Sequence, residues 1–307
     1  MTDTSPVPRA DILARAEAAY LGLALGDALG ATVEFMTPRE IAHHFADAGG
    51  VHREITGGGW LHLKPGQVTD DTGMALALGD AILAHHGGIS RQACAHAFDV
   101  WMRGKPVDIG NTVRRNLMLF RRTGVPVAPP SEHDAGNGAA MRVLPVALAT
   151  LGWSEGEVRD ACRMQAHVTH NNALSDAACE FIVLALQDFI RGDSLREIYR
   201  HRIQPLVEAQ PAFAFRGKPR RENPSGWIVE TMQAVLQSLV EVGGFENCLV
   251  DVVNRGGDAD TTGAITGMLA GAMYGRAALP ARWLKALAPA IFQRCREQAR
   301  ALVTTPP

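Results

Sequence analysis

Apolar residues recur along this chain at three- and four-residue spacing, as in Leu13, Ala16, Tyr20 and Leu23 and again in Val229, Met232, Leu236 and Leu239. That period gathers them on one face of an α-helix, whereas the alternating β-branched runs of half-buried strands are scarce. The pattern predicts an all-α protein with helices near 9–26, 38–47, 71–86, 90–103, 110–122, 137–151, 155–168, 173–191, 194–202, 226–242, 245–254, 260–275 and 281–302. Ser90, Ser154 and Ser175 read as N-caps or first-turn residues, and Gly87-Gly88 and Gly243-Gly244 as stops. Glycine inside a helix costs up to about 1 kcal/mol relative to alanine. The row Gly263, Gly267, Gly271 and Gly275 therefore predicts a helix packed closely against neighbours at the centre of the molecule.

Three segments break the helical pattern: Gly49 to Gly66 with Gly57-Gly58-Gly59-Trp60, the Pro-rich stretch Gly124 to Gly138, and Gln204 to Gly226 with the basic group Arg216, Lys218, Arg220 and Arg221. Loops of this length in a compact fold are commonly functional. None has the character of a linker, so one domain over 9–303 is expected, with flexible ends at 1–8 and 304–307. At 307 residues, 47% of them hydrophobic, the chain can bury a core of that size. A net charge of −2 provides no global field for nucleic acid. The five cysteines (Cys94, Cys162, Cys179, Cys248, Cys295) never form a CxxC pair and read as small core hydrophobes in a reducing compartment. With neither a signal-like h-region nor a membrane-length apolar run, the expected location is the cytoplasm.

Two clusters carry the chemistry. Thr69-Asp70-Asp71-Thr72-Gly73 and Asp258-Ala259-Asp260-Thr261-Thr262-Gly263 each stand where a polar turn enters an apolar helix. Four carboxylates and several hydroxyls brought together would repel one another unless a hard cation were present, and oxygen donors favour Mg, Mn or Ca over Zn. Each cluster alone could equally be helix capping, since Asp and Thr are preferred at such starts. The second cluster begins like a calcium loop, but Leu269 stands where the bidentate Glu belongs, which excludes an EF-hand. No GxxxxGK[ST] is present, so a P-loop is excluded. His167 and His170 read as a polar helix end or as groups behind the site, and His43-His44 and His85-His86 as surface residues.

The runs Gly26 to Phe35 (GDALGATVEF), Val68 to Thr72, Gly136 to Arg142 (GNGAAMR) and Asn254 to Gly263 (NRGGDADTTG) resemble, in order and spacing, the ADP-ribosylglycohydrolase family over about residues 14–290. The resemblance is nearest to the members that act on the nitrogenase iron protein. It implies a single-domain orthogonal multi-helix bundle with two divalent cations, Mn2+ or Mg2+, at the floor of an ADP-ribose cleft. Carried over by position, the ligands would be Thr69, Asp70, Asp71, Asp258, Asp260 and Thr261. Asp108 would transfer the leaving-group proton, and Glu34 would be the mobile acid at the cleft mouth. Asn111, Gly136, Asn137, Gly138, Arg142 and Trp227 would contact the substrate.

The implied activity is removal of ADP-ribose from an arginine of the nitrogenase iron protein. The implied partners are a PII signalling protein and an ammonium-channel complex that recruits the chain peripherally to the inner membrane. Alternatives are hydrolysis of serine-linked or acetylated ADP-ribose conjugates, or a non-catalytic ADP-ribose-binding regulator. The chain departs from the nitrogenase-type pattern at Gly73, where an acid is usual, and at Trp227, where a Tyr is usual.

Overall fold

The computed structural model describes residues 9–305, so the expected flexible end at 1–8 and the last two residues of that at 304–307 lie outside the described residues. In chain order the α-helices are α1 (Arg9–Gly30), α2 (Pro38–His44), α3 (Asp70–Ala84), α4 (Arg91–Arg103), α5 (Asn111–Thr123), α6 (Leu144–Ala149), α7 (Glu155–Ala166), α8 (Ala173–Arg191), α9 (Leu195–Ile198), α10 (Gln204–Ala209), α11 (Ile228–Glu241), α12 (Phe245–Val253), α13 (Ala259–Tyr274), α14 (Ala281–Ala286) and α15 (Pro289–Thr304). Among the described residues the only strand-like pairings are two isolated bridges, Gly58 with Leu63 and Gly136 with Trp227. The buried apolar side chains form a contiguous cluster to which nearly every helix contributes. All five cysteines are buried within the fold and unpaired.

At the centre, α1 and α13 run antiparallel and make the most extensive helix contact in the molecule. Gly22 faces Gly267, Gly26 faces Gly263, and Gly30 faces Ala259, each glycine meeting backbone rather than side chain. A Cβ at Gly26 would stand 2.0 Å from the carbonyl oxygen of Gly263, so only glycine permits this approach. The expectation of close packing therefore holds for Gly263, Gly267 and Gly271. Gly275 differs: it has positive φ and no neighbour, and it ends the helix. Antiparallel pairing sets the C-terminal end of α1 beside the N-terminal end of α13.

Three predicted helices are shortened or divided. The 137–151 segment is helical only over α6, because Pro145 has no N–H to give to a preceding turn, and the chain before it is held in turns by the Asn137 carbonyl, which accepts from Ala140 and Met141 N–H. The 281–302 segment breaks between α14 and α15, where Ala288 N–H donates to the Gly66 carbonyl and Pro289 opens the second helix, which runs on through Thr304 into the region expected to be flexible. Residues 194–202 form α9 followed by a π-helical turn at Tyr199–Ile203, where Pro205 starts α10. The basic segment folds onto the body: Arg220 pairs with Asp251, Arg221 binds Gln233, and Arg216 lies over the Tyr199 ring.

Candidate metal and substrate site

Both acid clusters do begin helices, but in neither does the N-cap side chain cap its own helix. Thr69 and Asp258 occupy the N-cap positions of α3 and α13, and neither side chain accepts a cap hydrogen bond. For α3 that task falls to Asp27, reaching across from α1. Its Oδ1 accepts from Thr69 N–H (2.9 Å) and Oγ1 (3.0 Å), and its Oδ2 accepts from Thr72 N–H (3.1 Å) and Oγ1 (2.5 Å). Asp27 is fully buried, and burial pushes its carboxyl up to about 6 against the opposing effect of these donors. Capping in trans leaves Asp70 and Asp71 free of local duty.

The start of α13 is shaped by the turn before it. Gly256 and Gly257 both adopt positive φ, and a Cβ on either would stand 2.1 Å from a backbone carbonyl oxygen, of Met36 and of Pro224 respectively. Gly257 N–H donates to the Met36 carbonyl, and Phe35 N–H donates to the Gly257 carbonyl, so the end of the Glu34 turn is tied to the start of α13. Arg255, buried beneath, pairs with Asp251 at 2.6 Å. Asp258 faces the cleft, its Oδ2 accepting from Asn137 Nδ2 at 2.7 Å.

The outcome is convergence across about 190 positions of sequence separation. Carboxylate oxygens of Asp70, Asp71 and Asp260 lie within 4.8 Å of one another, and so do those of Glu34, Asp108 and Asp260. Thr261 Oγ1 approaches Asp71 Oδ2 at 3.3 Å, and Thr69 Oγ1 stands 3.4 Å from both Asp71 and Asp260. Burial first, then the neighbouring acids, push Asp70 up to about 8 and raise Asp71 and Asp260 well above the usual carboxylate range. Among the described residues, Asp71 Oδ1 is buried with no hydrogen-bond partner. An orphaned carboxylate oxygen among converging acids fits a hard divalent cation better than it fits capping.

Above these acids opens a cleft of about 530 Å³, whose lining includes Asp108, Asn111, Gly136, Asn137, Gly138, Asp258, Asp260 and Thr261. Glu34 forms part of its wall. It is 5% exposed, accepts from Trp60 Nε1 at 2.7 Å, and is pushed up to about 8 by burial and by Asp258, Asp108 and Asp70. Asp108, half-buried in the loop before α5, is also raised, by burial first. Trp227, 45% exposed, is not among the cleft-lining residues but follows one of them, Gly226, and its backbone is bridged to another, Gly136.

Arg142 is a correction. Expected to contact substrate, it is 0% exposed and lies in the core: its guanidinium sits over the Phe98 ring and donates to Gln165 and to Thr169. The helical reading of 137–151 hid this inward turn. Conversely, the sequence reading gave no role to Asp27 or Trp60 and put His170 behind the site. His170 instead lines the cleft floor, with its ring edge directly beneath Gly136 and Gly138. His167 pairs with Asp176 at the end of α7, and His43, His44, His85 and His86 are exposed. Asp27 was findable as the one acid in the apolar, glycine-spaced second half of α1, from Ala18 to Gly30; no local signal marks Trp60.

Comparison with known proteins gives a consistent result. A family model described as ADP-ribosylglycohydrolase matches residues 8–306. The chain is 47% identical to the ADP-ribosyl-[dinitrogen reductase] glycohydrolase of Rhodospirillum rubrum, covering 94% of this chain and 95% of that protein. It is 31% identical to the ADP-ribosylarginine hydrolase Tri1 of Serratia proteamaculans, over 92% of this chain and 77% of the relative. A solved structure described as an ADP-ribosylglycohydrolase-related protein complex superposes with a TM-score of 0.84 at 33% identity, covering 96% of this chain and 99% of that one.

Proposed function

Because the chain belongs to the ADP-ribosylglycohydrolase family, we propose that it hydrolyses the N-glycosidic bond between ADP-ribose and an arginine of a protein, with dinitrogen reductase, the nitrogenase iron protein, as target. The observation that carries the reading is the meeting of Asp70, Asp71 and Asp260, with one oxygen of Asp71 left without a partner. Two divalent cations, Mn2+ or Mg2+, would be held by Thr69, Asp70, Asp71, Asp258, Asp260 and Thr261. Asp260 belongs to both acid triads, which favours it as a shared donor. Bound there, the cations would supply Lewis acidity for the ribose oxygens and for an attacking water.

The chain's own groups do the rest. Breaking the bond requires guanidine to leave as a protonated group while positive charge grows at the anomeric carbon, so a carboxyl that retains its proton near neutral pH is suited to the leaving nitrogen. Asp108 is shifted in that direction by burial and stands at the cleft wall beside Asp70. Glu34, held by Trp60, would orient the ribose and the scissile bond. Asn111, Asn137 and the glycines at 136 and 138 would bind the remainder of ADP-ribose, glycine allowing backbone to approach the pyrophosphate closely. Trp227 offers an aromatic face to the base.

The test is release of ADP-ribose from arginine-modified dinitrogen reductase, compared with serine-linked peptide, with and without chelator. The expected result is turnover of the arginine linkage that requires Mn2+ or Mg2+ and disappears in Asp260→Asn. Full activity after chelation, or preference for the serine linkage, would overturn it.

A further inference from the structure

We infer that Arg142 and Thr169 act as positioning residues that fix the tautomer of His170, so that its Nε2 carries the proton and offers it to an oxygen of the ligand in the cleft. The deduction follows from counting protons along a buried chain. Arg142 Nη2 donates to Thr169 Oγ1 at 2.8 Å, and a guanidinium can only donate. Thr169 Oγ1 lies 2.8 Å from His170 Nδ1, and no other acceptor among the described residues is bonded to this hydroxyl. The single hydroxyl proton therefore points at Nδ1, which must accept it. A neutral imidazole with Nδ1 as acceptor carries its hydrogen on Nε2. His170 is neutral here, because burial, with the Arg142 charge adding to it, pushes it down to about 3.

Geometry sets that hydrogen against the Gly136–Gly138 turn that lines the cleft. A Cβ on Gly136 would stand 3.0 Å from Nε2, and one on Gly138 would stand 2.8 Å from Cε1, so glycine at both positions is what gives the ring edge its place beneath the turn. Nε2 has no protein partner among the described residues, although His170 is 2% exposed and lines the cleft. Asn116 Nδ2 holds the Thr169 carbonyl at 2.6 Å, which fixes the backbone carrying both side chains. The matching acceptor is a phosphate or ribose oxygen. This last step rests on the cleft being the ADP-ribose site; the tautomer itself does not.

Two measurements separate these. Long-range 1H–15N correlation spectra of the histidine rings, with His170 assigned by its loss in His170→Asn, report the tautomer directly. The wild type and Thr169→Ser are expected to show the proton on Nε2, and Thr169→Val, which keeps the shape but removes the relay, is expected to lose that preference. ADP-ribose affinity should weaken about tenfold in Thr169→Val, the size expected for one misdirected hydrogen bond, and recover in Thr169→Ser. A wild-type ring protonated on Nδ1, or a Thr169→Val ring unchanged from wild type, would overturn the relay. If the wild type fails to bind ADP-ribose while the tautomer behaves as stated, the assignment of the cleft fails and the relay stands.

Discussion

The two acid clusters look alike as strings of residues, yet they are supported in opposite ways. The start of α3 is fastened from outside by Asp27, which takes the Thr72 N–H that the Thr69 side chain would ordinarily satisfy, together with the N–H of Thr69 itself. The start of α13 is fastened from behind by a two-glycine turn that locks onto Met36 and Pro224, and its helix is seated on α1 through Gly263. Gly73 and Gly263 occupy comparable places after the acids, but the first faces the Trp101 indole and the second the backbone of Gly26. One half-site is anchored by a hydrogen-bonding carboxylate and the other by steric closeness. The common sequence shape records a shared duty, presenting carboxylates inward, and not a shared means of support.

The largest effects should come from the acids at the meeting point. Asp260→Asn should lower activity by about a thousandfold or more, as for a residue acting within a catalytic unit. The same change should raise the melting temperature of the metal-free protein, because it removes one of several buried like charges. Activity assays and melting curves in chelator check both signs, and a metal-free variant less stable than wild type would break the reading of the cluster as strained.

Next in size are the two supports. Gly26→Ala forces a methyl to within 2.0 Å of the Gly263 carbonyl oxygen and should cost about 3 kcal/mol or more in denaturant unfolding, since backbone cannot yield as a side chain does. Asp27→Ala removes the acceptor for four donors at the start of α3 and should cost about 2 kcal/mol while weakening divalent-cation affinity, because it strips the cap and loosens Asp70 and Asp71. If Gly26→Ala weakened cation binding more than Asp27→Ala at matched stability, the contrast between the supports would be reversed.

The pH dependence has two components of opposite sign. Asp70 and Glu34 have folded values raised to about 8. Their favourable contribution is thus complete below the ordinary carboxylate range and is lost as pH rises through about 8. His52 and His170 are lowered by burial to about 4 and about 3, so their contribution is present above the ordinary histidine value and is lost as pH falls towards those values. The metal-free protein should therefore melt at lower temperature at pH 8.5 than at pH 6. Mn2+ should narrow that difference, and its affinity should rise with pH as it displaces protons from the acids. Affinity independent of pH over this window would contradict the raised carboxyls.

The smallest effect concerns Gly73, where a Cβ would stand 2.8 Å from Trp101 Nε1. Gly73→Ala should cost about 1 kcal/mol, because the half-buried indole can shift, and Trp101→Phe should relieve most of it. Double-mutant unfolding measures the coupling.

Much of this molecule was legible in its residues, for identifiable reasons. Helical period, serine caps and glycine stops place α4, α5, α7, α8, α11 and α12 to within a few residues, because each carries an amphipathic face and an explicit end signal. The glycine row of α13 announced a close contact but not its partner, since α1 brings its own glycines from more than two hundred residues away. The acids were visible as clusters, while their convergence was supplied by family resemblance and is present in the fold. What escaped was tertiary in origin. Asp27 works on a helix to which it does not belong, Trp60 reaches Glu34 from a separate loop, and Arg142 turns inward because Pro145 delays the helix that the pattern predicted.

The central claim is that two remote helix starts hold divalent cations jointly. It is tested most directly by anomalous diffraction at the manganese edge from crystals soaked in Mn2+. The account predicts manganese peaks bonded to carboxylates from both starts, Asp70 or Asp71 on one side and Asp260 on the other, and their loss in Asp260→Asn. Manganese bound to only one of the two starts, or an acid cluster free of peaks at saturating metal, would contradict it.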